Sequence, residues 1–201
     1  MNRRPHVVVL AGPNGAGKST TAPVLLRGRL GVDEFVNADT IARGLSAFAP
    51  EGVAIDAGRV MLRRLEQLAA QQRDFAFETT LASRTFAPRM ARWMQTGYAS
   101  HLVFLWLPNA ELAVARVRER VRLGGHDVAE VTVRRRYVRG LINFFALYQP
   151  VATTWRFYDN SQARPRLVAS GDRTGRNVVS DARLWARITE VQHEGRRTRP
   201  D

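Results

Sequence analysis

The sequence contains no cysteine, which excludes disulfides and thiolate-held metal sites from its chemistry. No apolar run reaches the ~18 residues that a membrane-spanning helix needs. The short apolar stretch behind the N-terminal arginines breaks at Gly12-Pro13, too early for a secretory h-region. A cytoplasmic protein with no membrane partner is therefore expected. Lysine is almost missing too. Of 31 Lys and Arg residues only Lys18 is lysine, and with 18 acids the formal net charge is +13. Arginine used throughout reads as genomic base composition. The one lysine then marks a position where a compact ammonium is needed and a planar guanidinium does not serve.

Nothing repeats, and no low-complexity tract or linker divides the chain. One domain over 1–195 is expected, followed by a basic tail at 196–201. Strands are expected at 6–11, 34–37, 75–78, 100–107 and 155–158, with a further edge strand at 166–169. Helices are expected at 18–29, 53–72, 86–95, 109–123, 129–148 and 181–191. Strand–helix alternation of this kind builds a mainly parallel sheet of five or six strands with helices on both faces. The fold expected is the α/β P-loop NTPase fold, with nucleoside-kinase-like strand order 2-3-1-4-5.

The first strand runs into GPNGAGKST, a full G-x-x-x-x-G-K-[ST] with a strand before it and a helix after it. Gly12, Gly15 and Gly17 let the backbone curl around phosphate oxygens, with Pro13, Asn14, Ala16 and Thr20 completing the cradle. Lys18 reaches the β- and γ-phosphates, and Ser19 supplies a hydroxyl to Mg²⁺. The same spelling occurs in ABC-type transport ATPases. Those need an LSGGQ-like signature and an apolar strand ending in Asp-Glu, whereas the strand at 102–107 ends in Leu-Pro.

Two carboxylates follow strands whose C-terminal ends face the ligand crevice of such a sheet. Asp39 suits a general base for an acceptor hydroxyl, and it suits equally the N-cap of a short helix at 41–45. Glu78 suits acceptor hydroxyls or a metal-bound water. From Arg116 to Arg139 the chain carries eight arginines and three acids, arranged as helix, Gly-Gly-His break and helix, like a lid over a nucleotide. This arm spans about 109–148. Asp127 and Glu130 have capping-box spacing, which starts the second helix near Val128. Arg116 and Arg120 flank a valine stripe on one side, Arg118 and Arg122 on the other. On the second helix Tyr137, Val138, Leu141, Phe144, Phe145 and Tyr148 share an apolar face. Arg134 falls in the middle of that face, and Arg136 and Arg139 point away. Only one of the two pairs on the first helix is expected to face the phosphates, and Arg120 and Arg134 are the candidate phosphate clamps.

These pieces in this order resemble the zeta-toxin family of bacterial kinases, especially its shorter relatives with an ABC-like phosphate loop. The matching stretches are GPNGAGKST, NADTIA at 37–42, FETTLASRTF at 77–86, RVRLGGHDV at 120–128, RRRY at 134–137 and YDNS at 158–161. The resemblance implies a kinase using ATP or GTP with Mg²⁺. Its better-known members phosphorylate the 3′-hydroxyl of the amino sugar of UDP-N-acetylglucosamine and are restrained by a small helical antitoxin. Carried over by motif, Asp39 would be the general base, and Asn37, Thr40, Glu78, Thr79, Thr80 and Arg84 would lie on the acceptor side. The arm arginines would bridge the moving phosphate. The chain lacks the added length of the larger toxins, and its second arm arginine falls among Arg134, Arg135 and Arg136, with His126 a weaker stand-in. A kinase of another sugar or nucleotide is the alternative. A nucleic-acid-binding P-loop ATPase is a further one, which the charge favours and the lack of interleaved aromatics disfavours.

Overall fold

The apolar run His6–Ala11 forms β1 at the centre of a sheet, and its alternating side chains feed two different cores. In this computed structural model, which describes residues 3–47 and 49–197, seven strands join in the order β2-β3-β1-β4-β5-β6-β7. The strands are β2 (Phe35–Val36), β3 (Phe75–Thr79), β4 (Ala99–Trp106), β5 (Thr154–Asp159), β6 (Arg166–Asp172) and β7 (Asn177–Val179). Pairing is parallel from β2 through β5 and antiparallel at β6 and β7. The expected 2-3-1-4-5 order is therefore present, extended by two strands. The seventh was not anticipated. Its three residues are all exposed, so no buried alternation marks it in the sequence.

Among the described residues seven α-helices cover the two faces: α1 (Lys18–Pro23), α2 (Ala38–Leu45), α3 (Ala54–Ala70), α4 (Phe86–Gln95), α5 (Ala110–Arg122), α6 (Glu130–Asn143) and α7 (Ala182–Arg197). On one face Met61, Leu65, Met90, Trp93, Leu141 and Phe144 pack on Val7, Val9, Phe75, Phe77 and Phe104. On the other, Ala22, Leu26, Ala113, Val114 and Val117 pack on Val8, Leu10, Val103 and Leu105. Phe104 lies with ring centroids 5.0 Å from both Phe144 and Phe157. Truncating a ring buried in this way costs about 3–5 kcal/mol.

Several boundaries have local causes. Pro23 has no N–H for the helical ladder, and behind it the helix widens into a π-helical stretch, Val24–Leu30. Asn109 caps α5 by accepting from the Leu112 N–H at 2.8 Å, as expected. The capping box of the next helix does not form. Asp127 accepts from the Val128 N–H at 2.7 Å, and α6 starts only at Glu130 behind an uncapped Ala129. Glu130 is drawn instead to Arg118 and Arg134, at 2.6 and 2.9 Å. The basic tail expected at 196–201 lies largely outside the described residues. No helix among the described residues is long and apolar enough to cross a membrane.

Candidate active site

Parallel order places the C-terminal ends of β2, β3 and β1 side by side, and the register pairs Leu10 with Glu78 and Ala11 with Thr79. The phosphate loop leaves β1 at Gly12, whose φ is +140°. A Cβ there would sit 2.2 Å from the Leu105 carbonyl oxygen, so only glycine lets the loop lie against β4. Lys18 is buried, and its ammonium donates to the carbonyls of Gly12 at 2.9 Å and Pro13 at 2.8 Å. Burial pushes its pKa down and the Arg120 charge adds to this, against the raising effect of Glu78 and Asp39.

Glu78 lies within β3 with its carboxylate engaged. One carboxylate oxygen accepts from Ser19 Oγ at 2.9 Å and from Asn37 Nδ2 at 2.8 Å, and the other lies 3.6 Å from Lys18 Nζ. Asn37 also settles the competition over the helix cap. Its Oδ1 accepts from the N–H groups of Asp39 and Thr40, so Asn37 is the N-cap of α2 and the Asp39 carboxylate is released from that duty. Asp39 faces a cleft of about 650 Å³ whose lining includes Lys18, Glu78, Thr79, Thr80, Phe86 and Arg136.

Ser19 and Glu78 form an oxygen donor set beside the phosphate loop, which suits Mg²⁺ shared with phosphate oxygens. No cluster of three or more His, Cys, Asp or Glu among the described residues would hold a metal by protein alone.

The arm differs from its expected phasing on α6. Arg134 does not reach inward. It pairs with Glu111 at 2.6 Å and Glu130 at 2.9 Å on the outer side of α6, and those carboxylates hold its pKa above the usual guanidinium value. Arg136, expected to point away, lines the cleft, where burial lowers its pKa and Asp39 opposes that. The reason is the true inner face of α6, which is Val133, Gly140, Leu141 and Asn143, with Val138 53% exposed. Arg135 and Arg139 are exposed, in line with the expectation for Arg139.

On α5 the pair Arg116 and Arg120 faces inward. Arg118 and Arg122 pair with the outer acids Glu130 and Glu119. Arg116 donates to the carbonyls of Asn160 and Ser161, both at 2.8 Å. Arg120 donates to the His126 carbonyl at 2.9 Å, and its Nε is buried with no partner. Such a donor lacks an acceptor that an anionic ligand oxygen would supply.

Two expected acceptor residues fall elsewhere. Thr40 is exposed and lines a separate groove between α2 and α3, and Arg84 is exposed outside the cleft lining. Other residues matter whose roles the sequence did not show. Asn160, buried, donates to the Ala16 carbonyl at 2.7 Å and braces the phosphate loop. Its place in YDNS was the only signal. Asn143 donates to the carbonyls of Leu81 at 2.7 Å and Ala82 at 3.2 Å, and Tyr148 donates to the Ser83 carbonyl at 2.5 Å. Together they pin the cleft wall, where buried Leu81 holds a φ of +58°. A leucine in that region stores strain that its surroundings must hold in place.

A mainly parallel sheet in the order 2-3-1-4-5, with Lys18, Glu78 and Ser19 gathered at its strand ends around the phosphate loop, is the P-loop NTPase fold. The Zeta toxin family model matches residues 1–184, and the chain belongs to that family. An uncharacterized protein of Haemophilus influenzae is 31% identical over 130 residues, which cover 65% of this chain and 91% of that one. A solved structure of AvrRxo1-ORF1:AvrRxo1-ORF2 with ATP aligns with a TM-score of 0.72 and 20% identity, over 94% of this chain and 64% of that one. The PezAT chromosomal toxin-antitoxin system of Streptococcus pneumoniae aligns with a TM-score of 0.62 and 14% identity, over 98% and 87%. The chain thus spans less than two thirds of the AvrRxo1 chain it matches.

Proposed function

We propose that this protein transfers the γ-phosphoryl group of ATP, or of GTP, to a hydroxyl of a small acceptor, with UDP-N-acetylglucosamine phosphorylated at the 3′-hydroxyl of its amino sugar. One observation carries this reading: Asp39 and Lys18 line a single cleft of about 650 Å³ beside the phosphate loop. A cleft of that size takes a drug-sized molecule, not water alone.

The roles follow from placement. The loop N–H groups and Lys18 bind β- and γ-phosphate oxygens. Ser19 and Glu78 would hold Mg²⁺, which when bound neutralises charge between the β- and γ-phosphates. The Asp39 carboxylate takes the proton of the acceptor hydroxyl as its oxygen bonds to the γ-phosphorus and the bond to the β-phosphate oxygen breaks, releasing the nucleoside diphosphate. Arg120 and Arg136 offset the charge on the transferring group. Apolar Met61, Leu62 and Phe86, the hydroxyls of Thr79, Thr80, Ser83 and Thr85, and the guanidinium of Arg59 line the rest of the cleft. A sugar carrying a charged diphosphate suits such a mixture.

A small protein that restrains the enzyme fits with PezAT being a toxin-antitoxin system, and the cytoplasm is where such a partner and ATP would meet it. The arm arginines support a kinase more than a nucleic-acid binder, because Arg116, Arg118, Arg120, Arg122 and Arg134 are engaged within the arm and its neighbours.

The test is mass spectrometry of products after incubation with MgATP and UDP-N-acetylglucosamine, using the parent and Asp39→Asn. The parent should yield a singly phosphorylated sugar nucleotide. Asp39→Asn should bind MgATP equally and form product ~10²-fold more slowly. A parent that releases only inorganic phosphate refutes the kinase reading, and an unimpaired Asp39→Asn removes Asp39 as the base.

A further inference from the structure

The break between α5 and α6 puts one residue in contact with both halves of the site. Gly124 turns the chain with φ +82°. Gly125 then passes against Arg120, where a Cβ would lie 2.5 Å from Arg120 Cγ and 2.9 Å from its carbonyl oxygen. That close passage delivers His126, whose side chain is only 16% exposed, to a smaller pocket that it lines together with Asp39 and Arg136, residues shared with the main cleft. Its carbonyl accepts from Arg120 Nη2 at 2.9 Å, and its Nε2 lies 3.7 Å from Asp39 Oδ2.

Asp39 needs such a neighbour. Its carboxylate accepts no side-chain or backbone hydrogen bond among the described residues, and its side chain is 42% exposed. A general base works only when its oxygen is held within about 2.6–3.2 Å of the proton it takes. An imidazole on the lid can fix one carboxylate oxygen and leave the other for the acceptor hydroxyl, the base–orienter arrangement of many active sites. Hydrogen bonds of this kind are often long without ligand and tighten when it binds.

We propose that His126 is a positioning residue for phosphoryl transfer: as the lid closes it donates its Nε2–H to Asp39 Oδ2, aiming Oδ1 at the acceptor, while its carbonyl seats Arg120 beside the phosphates. The proposal rests on Asp39 being the base. Two glycines and a histidine are what the geometry requires, since Gly125 gives the approach to Arg120 and His126 spans the remaining gap.

The test measures ADP release by the full chain at saturating MgATP, with UDP-N-acetylglucosamine and with water alone as acceptor, alongside MgATP affinity by titration. His126→Ala should lower kcat about tenfold, a part of what the base itself contributes, with MgATP affinity unchanged. His126→Gln, which keeps an N–H donor, should recover most of the rate. In an Asp39→Asn background His126→Ala should change nothing further. Equal rates for parent and His126→Ala, or an undiminished loss in the Asp39→Asn background, would overturn the proposal while leaving Asp39 in place. If Asp39→Asn alone is as fast as the parent, the base reading itself has failed.

Discussion

Replacing Gly140 by alanine sets two effects of opposite sign against each other. In an ordinary helix interior the change stabilises by about 1 kcal/mol, because alanine loses less backbone freedom on folding. Here α6 presses on the cleft wall. A Cβ at 140 would lie 2.3 Å from the Thr80 carbonyl oxygen, whereas ordinary contact begins near 3.4 Å. Helix or wall must yield by about 1 Å, an overpacking that costs ~1–3 kcal/mol. The net is a loss of up to about 2 kcal/mol, a fall in Tm of several degrees for a chain of this size. The wall cannot relax freely, because Asn143 and Tyr148 grip the carbonyls of the strained Leu81 and of the two residues after it, Ala82 and Ser83.

The functional consequence is larger than the thermal one. Thr79, Thr80 and Ser83 line the cleft, and a displacement near 1 Å at a substrate-positioning surface costs ~10²-fold in rate. Gly140→Ala should therefore lose acceptor turnover by about that factor while keeping its MgATP affinity, since the phosphate loop is held by its close approach to Leu105 and by Asn160, not by this wall. Gly44→Ala is the control, with nothing within 4 Å of the added carbon, and it should melt at the same temperature or higher. The assays are thermal denaturation, nucleotide titration and ADP release on both variants. A Gly140→Ala protein that melts higher than the parent and turns over normally would show that α6 does not hold the wall by close contact.

Lys18→Ala and Lys18→Arg should both abolish most nucleotide turnover, because the buried pocket between Gly12, Pro13 and Glu78 fits an ammonium and no guanidinium; normal ADP release by either variant would refute that. Arg136→Ala should lower turnover by ~10²-fold, whereas Arg134→Ala, an outer ion pair, should change it less than threefold. The reverse ranking in ADP release would restore the phasing expected from the apolar pattern.

What the sequence made legible was whatever rests on spacing alone. The phosphate loop needs glycines at fixed intervals and one ammonium, and Lys18 stood out among arginines. Strand order through β5 followed from alternation and chain connectivity. The phase of α6 did not, and the reason is specific. Counting apolar side chains places Val138 inside and Arg136 outside, but the surfaces that α6 buries against the cleft wall are a glycine, for its lack of a side chain, and an asparagine, for its hydrogen bonds. Neither registers as hydrophobic, so Gly140 and Asn143 carried no weight in the pattern, although Arg136 precedes them by one and two turns on the same side. The capping box failed likewise because Glu130 had a stronger competitor than a backbone N–H: two guanidinium groups within 3 Å. In an arginine-rich arm, local signals involving acids are the least dependable. Close-contact glycines and buried amides, read as packing instead of as loop or polar surface, are where further site residues of this chain were hidden.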